Sequence, residues 1–238
     1  MSRQIRLVGF DADDTLWHSQ DYFDQAQAEF ESILGQYLDV QDRGIHQQLL
    51  ATERRNVGLF GYGAKGMTLS MLETAIDLTG QRINAGDIAR ILKLGRDVLE
   101  HPVELIAGMR EAVNEVAADY ETVLITKGDL FHQERKVKES GLSQLFRRIE
   151  IVSEKDPPTY QRLFQEFAIK PQQFVMVGNS LRSDIEPVVR LGGYGVHVPY
   201  ATTWALETEH GLEPNHPRVR QVDRPQDISG ALREFGDW

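Results

Sequence analysis

Short apolar runs alternate with amphipathic segments over most of this chain. The first run, residues 5–10 (IRLVGF), is mostly apolar and ends in acidic residues. This pattern is typical of a buried strand whose carboxyl end opens into a site. Between residues 20 and 100 the apolar positions recur at helical spacing, and no run resembles a strand. We expect an all-helical insert here, with helices near residues 21–38, 45–55, 68–78 and 87–99.

After residue 101 the pattern becomes an alternation of short apolar runs with helical segments. The apolar runs lie at residues 122–126, 149–152, 174–177, 195–198 and 219–222. The helical segments lie at residues 109–118, 132–140, 157–167 and 184–191, and from residue 227 onward. Such alternation indicates a parallel sheet with helices on both faces, so we predict an α/β fold.

Polar residues follow four of the predicted strands at the point where each strand ends. In chain order they are Asp11, Asp13 and Asp14, then Thr126, Lys127 and Gly128, then Lys155, and finally Asn179 and Asp184. Because the carboxyl ends of parallel strands meet at one edge of a sheet, we expect these groups to converge. Each short signal is weak alone, and the four together in this order are specific.

Each of these groups has a use in phosphoryl transfer. Asp11 can act as a carboxylate nucleophile, which divides hydrolysis into two easier steps. Asp13 lies two residues further on and can protonate the leaving oxygen and then activate water. Clustered carboxylates favour a hard cation such as Mg²⁺ between them. Thr126 and Lys155 can hold the phosphoryl oxygens, and Gly128 lets the backbone approach an oxyanion closely.

Composition removes several other classes of function. The formal net charge is -10 and no basic block is present, so we expect no nucleic-acid partner. The absence of Cys excludes disulfides and thiolate chemistry, and the seven histidines show no zinc-binding spacing. No stretch approaches the roughly 20 apolar residues of a membrane helix. The amino-terminal apolar run is too short for a signal peptide, so a cytoplasmic location without a membrane partner is the expectation.

The four polar segments together resemble the motifs of the haloacid dehalogenase-like (HAD) hydrolase superfamily. The matching segments are FDADDTLW at residues 10–17, LITKG at residues 124–128, Lys155, and VGNSLRSD at residues 177–184. The resemblance spans most of the chain and implies a Rossmann-like core. It implies Asp11 as nucleophile and Asp13 as acid/base. It also implies substrate contacts from Thr126, Lys127, Gly128 and Lys155, and a Mg²⁺ site made by Asp11, the backbone carbonyl of Asp13, Asp184 and Asn179.

The same resemblance predicts the domain organisation. Residues 1–17 and 101–238 would form the catalytic core, and residues 18–100 a helical cap of the superfamily's first subclass. Residues 61–66 (GYGAKG) match a dinucleotide-binding pattern, but no strand precedes them, so that function is not indicated. We expect a flexible loop between cap helices instead, in which Lys65 helps to select the substrate. An ordinary helix connector is the alternative.

The implied activity is a Mg²⁺-dependent phosphatase that hydrolyses a small phosphorylated metabolite through an aspartyl-phosphate. Asp13 favours a phosphatase, because the dehalogenases that name the superfamily lack an acid at that place. A phosphomutase or a dehalogenase stays open, as does a receiver-like or catalytically silent binding protein. Against a receiver, no acid ends the run at residues 122–126. Asn179 offers an oxygen without a charge where many relatives carry Asp. The sequence indicates neither the natural substrate nor the oligomeric state.

Overall fold

A parallel sheet organises the part of the chain that the computed structural model describes, residues 5–38 and 44–235. Its strands run in the spatial order β3-β2-β1-β4-β5-β6, and every neighbouring pair is parallel. The strands are β1 (Leu7–Phe10), β2 (Glu121–Lys127), β3 (Arg148–Val152), β4 (Phe174–Gly178), β5 (Tyr194–His197) and β6 (Val219–Gln221). This confirms the predicted α/β fold with a parallel, Rossmann-like sheet.

The helices follow the predicted segments closely. They are α1 (Gln20–Leu34), α2 (Ile45–Phe60), α3 (Ala64–Leu78), α4 (Ala85–Glu100), α5 (Met109–Asp119), α6 (Leu130–Ser140), α7 (Pro157–Glu166), α8 (Glu186–Arg190) and α9 (Ile228–Glu234). Local signals set several of the ends. Asp156 caps α7 by accepting a hydrogen bond from the Thr159 amide at 2.9 Å. Gly141 follows α6 with a φ of 64°, a left-handed conformation that ends a helix.

Alternate residues of the central strands pack on opposite faces of the sheet. Val8 and Phe10 of β1 join one apolar cluster with residues of α5 and α9. Leu7 of the same strand joins a second cluster, which contains Phe174 of β4 and residues of α7. All four residues of β1 are buried. The sheet is therefore covered on both faces, as parallel sheets generally are.

The described chain forms two compact units. The core unit contains residues 5–18, 103–127 and 133–235, and the helical unit contains residues 19–38, 44–102 and 128–132. The helical unit has its own apolar cluster, in which Phe30, Leu49, Met71 and Ile91 are fully or almost fully buried. Residues 1–4, 39–43 and 236–238 of the predicted domains lie outside the described residues. No helix within the described ranges is both long enough and apolar enough to cross a bilayer.

The order of the strands marks the place where a ligand can bind. From β1 the chain crosses to β2 and then β3 on one side, whereas β4, β5 and β6 follow one another on the other side. The direction of winding thus reverses between β1 and β4. In open parallel sheets such a switch point leaves a crevice at the carboxyl ends of the two strands. Asp11 follows β1 and Asn179 follows β4, so both lie at this point.

Two sequence predictions are wrong in detail. The segment at residues 61–66 is not a loop throughout, because α3 already begins at Ala64. Only Gly61–Gly63 connects the helices, and Gly66 packs so closely that an added Cβ would lie 2.5 Å from the Gly61 carbonyl oxygen. The helix predicted over residues 184–191 is also shorter. A wide π-type turn, Leu181–Ile185, precedes α8, so Asp184 lies in that turn.

Candidate active site

Asp11 lies directly after β1 and is almost fully buried. Its amide donates to the carbonyl of Val177 at 2.9 Å, which continues the ladder between β1 and β4 for one more residue. Its Oδ2 accepts a hydrogen bond from the Thr15 hydroxyl at 2.9 Å, and its Oδ1 contacts Lys155 Nζ. The residue as a whole is 6% exposed. Strand geometry and two polar contacts therefore fix the carboxylate in one orientation.

Lys155 joins Asp11 to Asp184. Lys155 follows β3, and its Nζ lies 2.7 Å from Asp184 Oδ1 while it also contacts Asp11. The second oxygen of Asp184 accepts a hydrogen bond from the Ser180 amide at 2.9 Å. Lys155 and Asp184 are both almost completely buried. Three residues from three different strand ends thus meet in one buried ionic cluster, as the sequence predicts.

The cluster holds two carboxylates and one ammonium, so it carries an excess of negative charge. Burial and the neighbouring Asp184 carboxylate raise the pKa of Asp11 to about 7, although Lys155 acts in the opposite direction. For Lys155, burial disfavours the charged form, but Asp11 and Asp184 outweigh it and raise the pKa. The ammonium is therefore charged at neutral pH. A further positive charge beside Asp11 would favour its ionised, nucleophilic form.

Thr15 links the nucleophile candidate to Asn179. The Thr15 hydroxyl lies 2.9 Å from Asp11 Oδ2 and 3.2 Å from Asn179 Oδ1, and it accepts a hydrogen bond from the Asn179 amide at 3.0 Å. The Asn179 carbonyl in turn accepts from His197 Nε2 at 3.1 Å. The side-chain oxygen of Asn179 therefore reaches the cluster through Thr15, and its predicted metal contact stays a prediction.

Asp13 occupies a polar cluster of its own beside the first. Its Oδ1 accepts from Trp17 Nε1 at 2.6 Å and from Lys136 Nζ at 2.5 Å, and its Oδ2 accepts from Gln133 Nε2 at 2.9 Å. The turn after β1 makes this possible, since Asp14 adopts a φ of 61° and its amide donates to the Trp17 carbonyl. The chain folds back within four residues and brings Trp17 under Asp13.

Burial disfavours the charged form of Asp13, but Lys136, Trp17 and Gln133 outweigh this effect and lower the pKa of the carboxyl. Asp13 and Asp11, two residues apart, are thus biased toward opposite protonation states. Such divergence is typical of paired carboxylates with different chemical tasks. In this arrangement Asp13 is ionised, which is the form that can accept a proton from water.

The residues at the end of β2 divide between the two units. Thr126 is buried in the core unit, where its hydroxyl accepts from Gln133 Nε2 at 3.0 Å. Lys127 Nζ contacts Glu154, Ser183 and Glu207. Gly128 belongs to the helical unit and adopts a φ of 124°, which side chains rarely tolerate. The substrate contacts predicted for these three strand-end residues stay predictions.

Lys65, the third lysine predicted to contact substrate, belongs to the helical unit. Its Nζ lies 2.8 Å from Asp129 Oδ2 and 5.5 Å from the centre of the Phe131 ring. The side chain is 52% exposed, so this ion pair contributes little to stability. An exposed lysine held by a weak pair can exchange its partner for a ligand anion at small cost.

Five residues of this site were not predicted from the sequence. They are Thr15, Trp17, Gln133, Lys136 and Glu207. Gln133 and Lys136 carry a usable signal, because two polar residues three apart on one helix share a face and can be buried together. Glu207 carries none, since it lies in a segment without periodicity.

Gly178, the last residue of β4, leaves room for Asp184. A Cβ at this position would lie 2.3–2.6 Å from three atoms of the Asp184 side chain. We expect Gly178→Ala to displace Asp184 and to lower the free energy of unfolding by about 1–3 kcal/mol, the usual cost of overpacking. Urea denaturation measures the change.

The matched control for that substitution is Gly230→Ala in α9, where an added Cβ meets nothing within 4 Å. Alanine is favoured over glycine inside a helix, so this variant should gain about 0.5–1 kcal/mol. A Gly178→Ala protein as stable as wild type would show that Asp184 is not fixed against β4.

The donor set of the buried cluster consists of carboxylate oxygens, which fit a hard cation such as magnesium. Within residues 5–38 and 44–235, no three His, Asp or Glu side chains gather into a complete metal cage. Asp11 and Asp184 nevertheless lie close together, because Oδ1 of each carboxylate contacts the same Lys155 Nζ. Mg²⁺ typically uses one or two carboxylates and completes its shell with water and substrate phosphate. Two buried carboxylates with excess negative charge fit that requirement.

Comparison with known proteins agrees with the fold and identifies the family. A family model described as haloacid dehalogenase-like hydrolase matches residues 5–192. A haloacid dehalogenase-like family hydrolase from Xanthomonas campestris, solved by crystallography, is 57% identical, with a TM-score of 0.89 over 98% of this chain and 96% of that one. No curated protein matches the chain in sequence.

More distant structures share the fold alone. YfnB of Bacillus subtilis, solved bound to magnesium, is 16% identical, with a TM-score of 0.63 over 96% of this chain and 98% of that one. The L-2-haloacid dehalogenase of Xanthobacter autotrophicus is 15% identical, with a TM-score of 0.63 over the same shares of the two chains.

The fold and the family model together define an α/β hydrolase built on a parallel sheet. With the family model matching most of its length, the chain belongs to the haloacid dehalogenase-like hydrolases.

Proposed function

We propose that this hydrolase is a Mg²⁺-dependent phosphatase that acts on a small phosphomonoester through an aspartyl-phosphate at Asp11. The observation that carries the proposal is the pair of acids with opposite bias. Asp11 is buried against Lys155 and Asp184, and Asp13 is held ionised two residues away by Lys136. A nucleophile and a separate proton-transfer group are what two-step hydrolysis of a phosphate ester requires.

Each residue then has a defined task. Asp11 attacks phosphorus and the bond from phosphorus to the leaving oxygen breaks, while that oxygen takes a proton that Asp13 must first bind from solvent. Water that gives its proton to the Asp13 carboxylate then attacks the phosphorus of the acyl phosphate, which releases phosphate and restores Asp11. Lys155 keeps the nucleophile oriented and offsets charge on the transferred group. Thr126 and Gly128 bind the phosphoryl oxygens, and Lys127 adds a positive charge at the same strand end. The acid role of Asp13 requires that its contact with Lys136 loosens when substrate binds.

Magnesium would be held by Asp11, Asp184 and the backbone carbonyl of Asp13, with Asn179 nearby. When bound, it supplies charge neutralisation for the phosphate and for the two buried carboxylates. Hydrogen bonds from their own turns to Asp11 and Asp184 support this assignment, because they hold both carboxylates in position. The acidic net charge of the chain favours a small substrate over a nucleic acid.

Release of inorganic phosphate from a panel of phosphorylated metabolites tests the activity. We expect turnover with Mg²⁺, loss of turnover with EDTA and recovery when Mg²⁺ is restored. A single turnover in heavy-oxygen water separates a phosphatase from a dehalogenase. Attack of water at phosphorus places the label on phosphate, whereas hydrolysis of a carbon ester of Asp11 at its carbonyl carbon places it on Asp11. Label on Asp11 would contradict the phosphatase.

The metal site gives a prediction about Asn179 and Asp184. Asp184→Asn should raise the Mg²⁺ concentration for half-maximal rate by about tenfold or more, because loss of even an outer partner of a metal ligand has an effect of this size. Asn179→Asp should lower it, since hard cations are bound largely by charge. Titration of Mg²⁺ against rate measures both.

The Asn179→Asp variant also tests whether Asn179 acts on the metal directly or through Thr15. Asn179 Oδ1 lies 3.2 Å from the Thr15 hydroxyl, and a carboxylate can accept the same hydrogen bond. An Asn179→Asp protein that needs as much Mg²⁺ as wild type, or more, would show that Asn179 acts through Thr15 and not as a neutral metal ligand.

Lys65 gives a prediction about substrate choice. Lys65→Ala should change the relative kcat/KM values across the metabolite panel by about 10- to 150-fold, because a hydrogen bond to a charged group contributes about 1.5–3 kcal/mol. It should spare a small generic ester such as para-nitrophenyl phosphate. Asp129→Asn breaks the same ion pair and keeps the lysine, so it is the matched control. Equal effects of the two variants would assign Lys65 to a structural connector.

A further inference from the structure

An acidic side chain from the irregular segment after β5 is buried in the core unit. Glu207 ends a short helical turn, Ala205–Glu207, whose neighbours Ala205 and Thr208 are exposed. Its own side chain is only 14% exposed. A carboxylate is rarely buried to this degree unless it is paired and hydrogen-bonded. The partners of Glu207 should therefore reveal why the chain places a charge there.

Both oxygens of Glu207 are used. Oε1 accepts from Lys127 Nζ at 2.7 Å, and Oε2 accepts from the hydroxyls of Ser180 at 2.6 Å and Ser183 at 2.5 Å. Burial disfavours the charged carboxylate, but Lys127 and the two hydroxyls outweigh this and lower the pKa of Glu207. One ionised side chain thus connects the end of β2 to two positions of the turn that follows β4.

That turn, residues 180–184, carries Asp184. The Ser180 amide donates to Asp184 Oδ2 at 2.9 Å, and the Asp184 amide donates to the Ser180 carbonyl at 2.9 Å. The Ser183 amide donates to the Ser180 hydroxyl at 3.0 Å. The two serines that fix the backbone around Asp184 are the same two that Glu207 holds by their hydroxyls.

We propose that Glu207 is a positioning residue for the metal site, which holds the 180–184 turn in the geometry at which Asp184 binds a divalent cation. The inference rests on the proposed function, since it takes Asp184 as a Mg²⁺ ligand. Glu207 touches neither Asp11 nor Asp184 and acts through Ser180 and Ser183. Lys127 completes the arrangement, because its ammonium keeps the buried carboxylate ionised and also donates to the Ser183 hydroxyl.

Substitution of Glu207 should therefore lower the affinity for Mg²⁺ although every proposed metal ligand is kept. Glu207→Gln keeps the size of the side chain, but its amide nitrogen cannot accept a hydrogen bond and its charge no longer balances Lys127. Partners of metal ligands typically contribute about 10- to 100-fold in metal affinity. We expect a loss of this size for Mg²⁺ together with faster exchange of the Ser183 and Asp184 amides, whose hydrogen bonds depend on the turn.

The experiment measures Mg²⁺ binding by calorimetry and amide exchange in the metal-free full-length protein. Glu209→Gln is the matched control, because Glu209 is an exposed acid in the same segment and its substitution removes the same charge. It should leave both measurements unchanged. Ser183→Ala removes one hydroxyl and should give an intermediate loss, which keeps the test open if Glu207→Gln is unstable.

A double variant distinguishes the positioning of the 180–184 turn by Glu207 from a long-range effect of its charge on Mg²⁺ binding. Lys127→Met combined with Glu207→Gln restores the net charge of the cluster but leaves the turn unheld, so Mg²⁺ binding should stay weak. Recovery of wild-type affinity in the double variant would overturn the inference in favour of a charge effect alone. Wild-type affinity in Glu207→Gln would overturn it while the proposed function stands. If neither wild type nor Asp184→Asn binds Mg²⁺, both the role of Glu207 and the proposed Mg²⁺-dependent function are contradicted.

Discussion

Asp11→Asn is expected to lower phosphatase turnover by about 10,000-fold or more, the scale seen when a catalytic nucleophile is removed. The amide cannot attack phosphorus, yet it has the size of the carboxylate and can still accept a hydrogen bond from Thr15. The measurement is phosphate release at saturating Mg²⁺. Turnover within tenfold of wild type would exclude Asp11 as the nucleophile.

The free energy of unfolding of the Asp11→Asn variant provides the control for this substitution. A raised pKa means that the ionised form of Asp11 is less favourable in the folded protein than in the unfolded chain. The neutral amide removes that cost, so the variant should be at least as stable as wild type in urea. Inactivity with an intact or higher free energy of unfolding assigns the loss to chemistry. Beryllium fluoride with Mg²⁺, which mimics an aspartyl-phosphate, should stabilise wild type and not the variant.

Asp13→Asn is expected to have the second largest effect, and its size should depend on the leaving group. General acid catalysis typically contributes about 100- to 10,000-fold, and it matters most when the leaving oxygen is basic. Hydrolysis of an alkyl phosphate such as glycerol phosphate should fall by that range. Hydrolysis of para-nitrophenyl phosphate should fall much less, because nitrophenolate leaves without a proton.

The comparison between the two esters is internally controlled, because the same variant protein with the same Mg²⁺ concentration hydrolyses both. A general loss of folding or of metal would lower both rates equally. Lys136 and Trp17 keep their places beside the new amide only if the turn after β1 is undisturbed, which the melting temperature reports. Equal losses for the alkyl and the aryl ester would show that Asp13 has a structural or metal-linked task and does not transfer the proton.

The buried ionic cluster was predictable because each member follows a short apolar strand. In a parallel sheet the position of a strand end is set by backbone pairing, so Asp11, Lys155 and Asp184 meet although they are far apart in the chain. The helix boundaries were predictable from local signals, such as the capping side chain of Asp156 and the left-handed conformation of Gly141. The sequence therefore predicts the elements from their periodicity, the helix ends from their capping residues, and the convergence of the acids from the order of the strands.

The remaining features depend on tertiary packing that leaves no local pattern. Ala64 begins a helix although glycines surround it, because Gly66 packs against the Gly61 carbonyl. Gln133 and Lys136 are buried although polar residues on a helix usually face water, since Asp13 offers them an acceptor. Glu207 comes from a segment without regular structure, and only the fold brings it to Lys127.

The location of the phosphoryl group during turnover distinguishes Asp11 from every other candidate nucleophile. Wild-type protein mixed with Mg²⁺ and a phosphate ester is quenched in acid within the first turnover, digested and analysed by mass spectrometry. We expect one phosphoryl group on the peptide that contains Asp11, and borohydride reduction should convert this residue to homoserine, as it does for an acyl phosphate. A phosphoryl group on any other residue, or a completed first turnover that never labels Asp11, would contradict it.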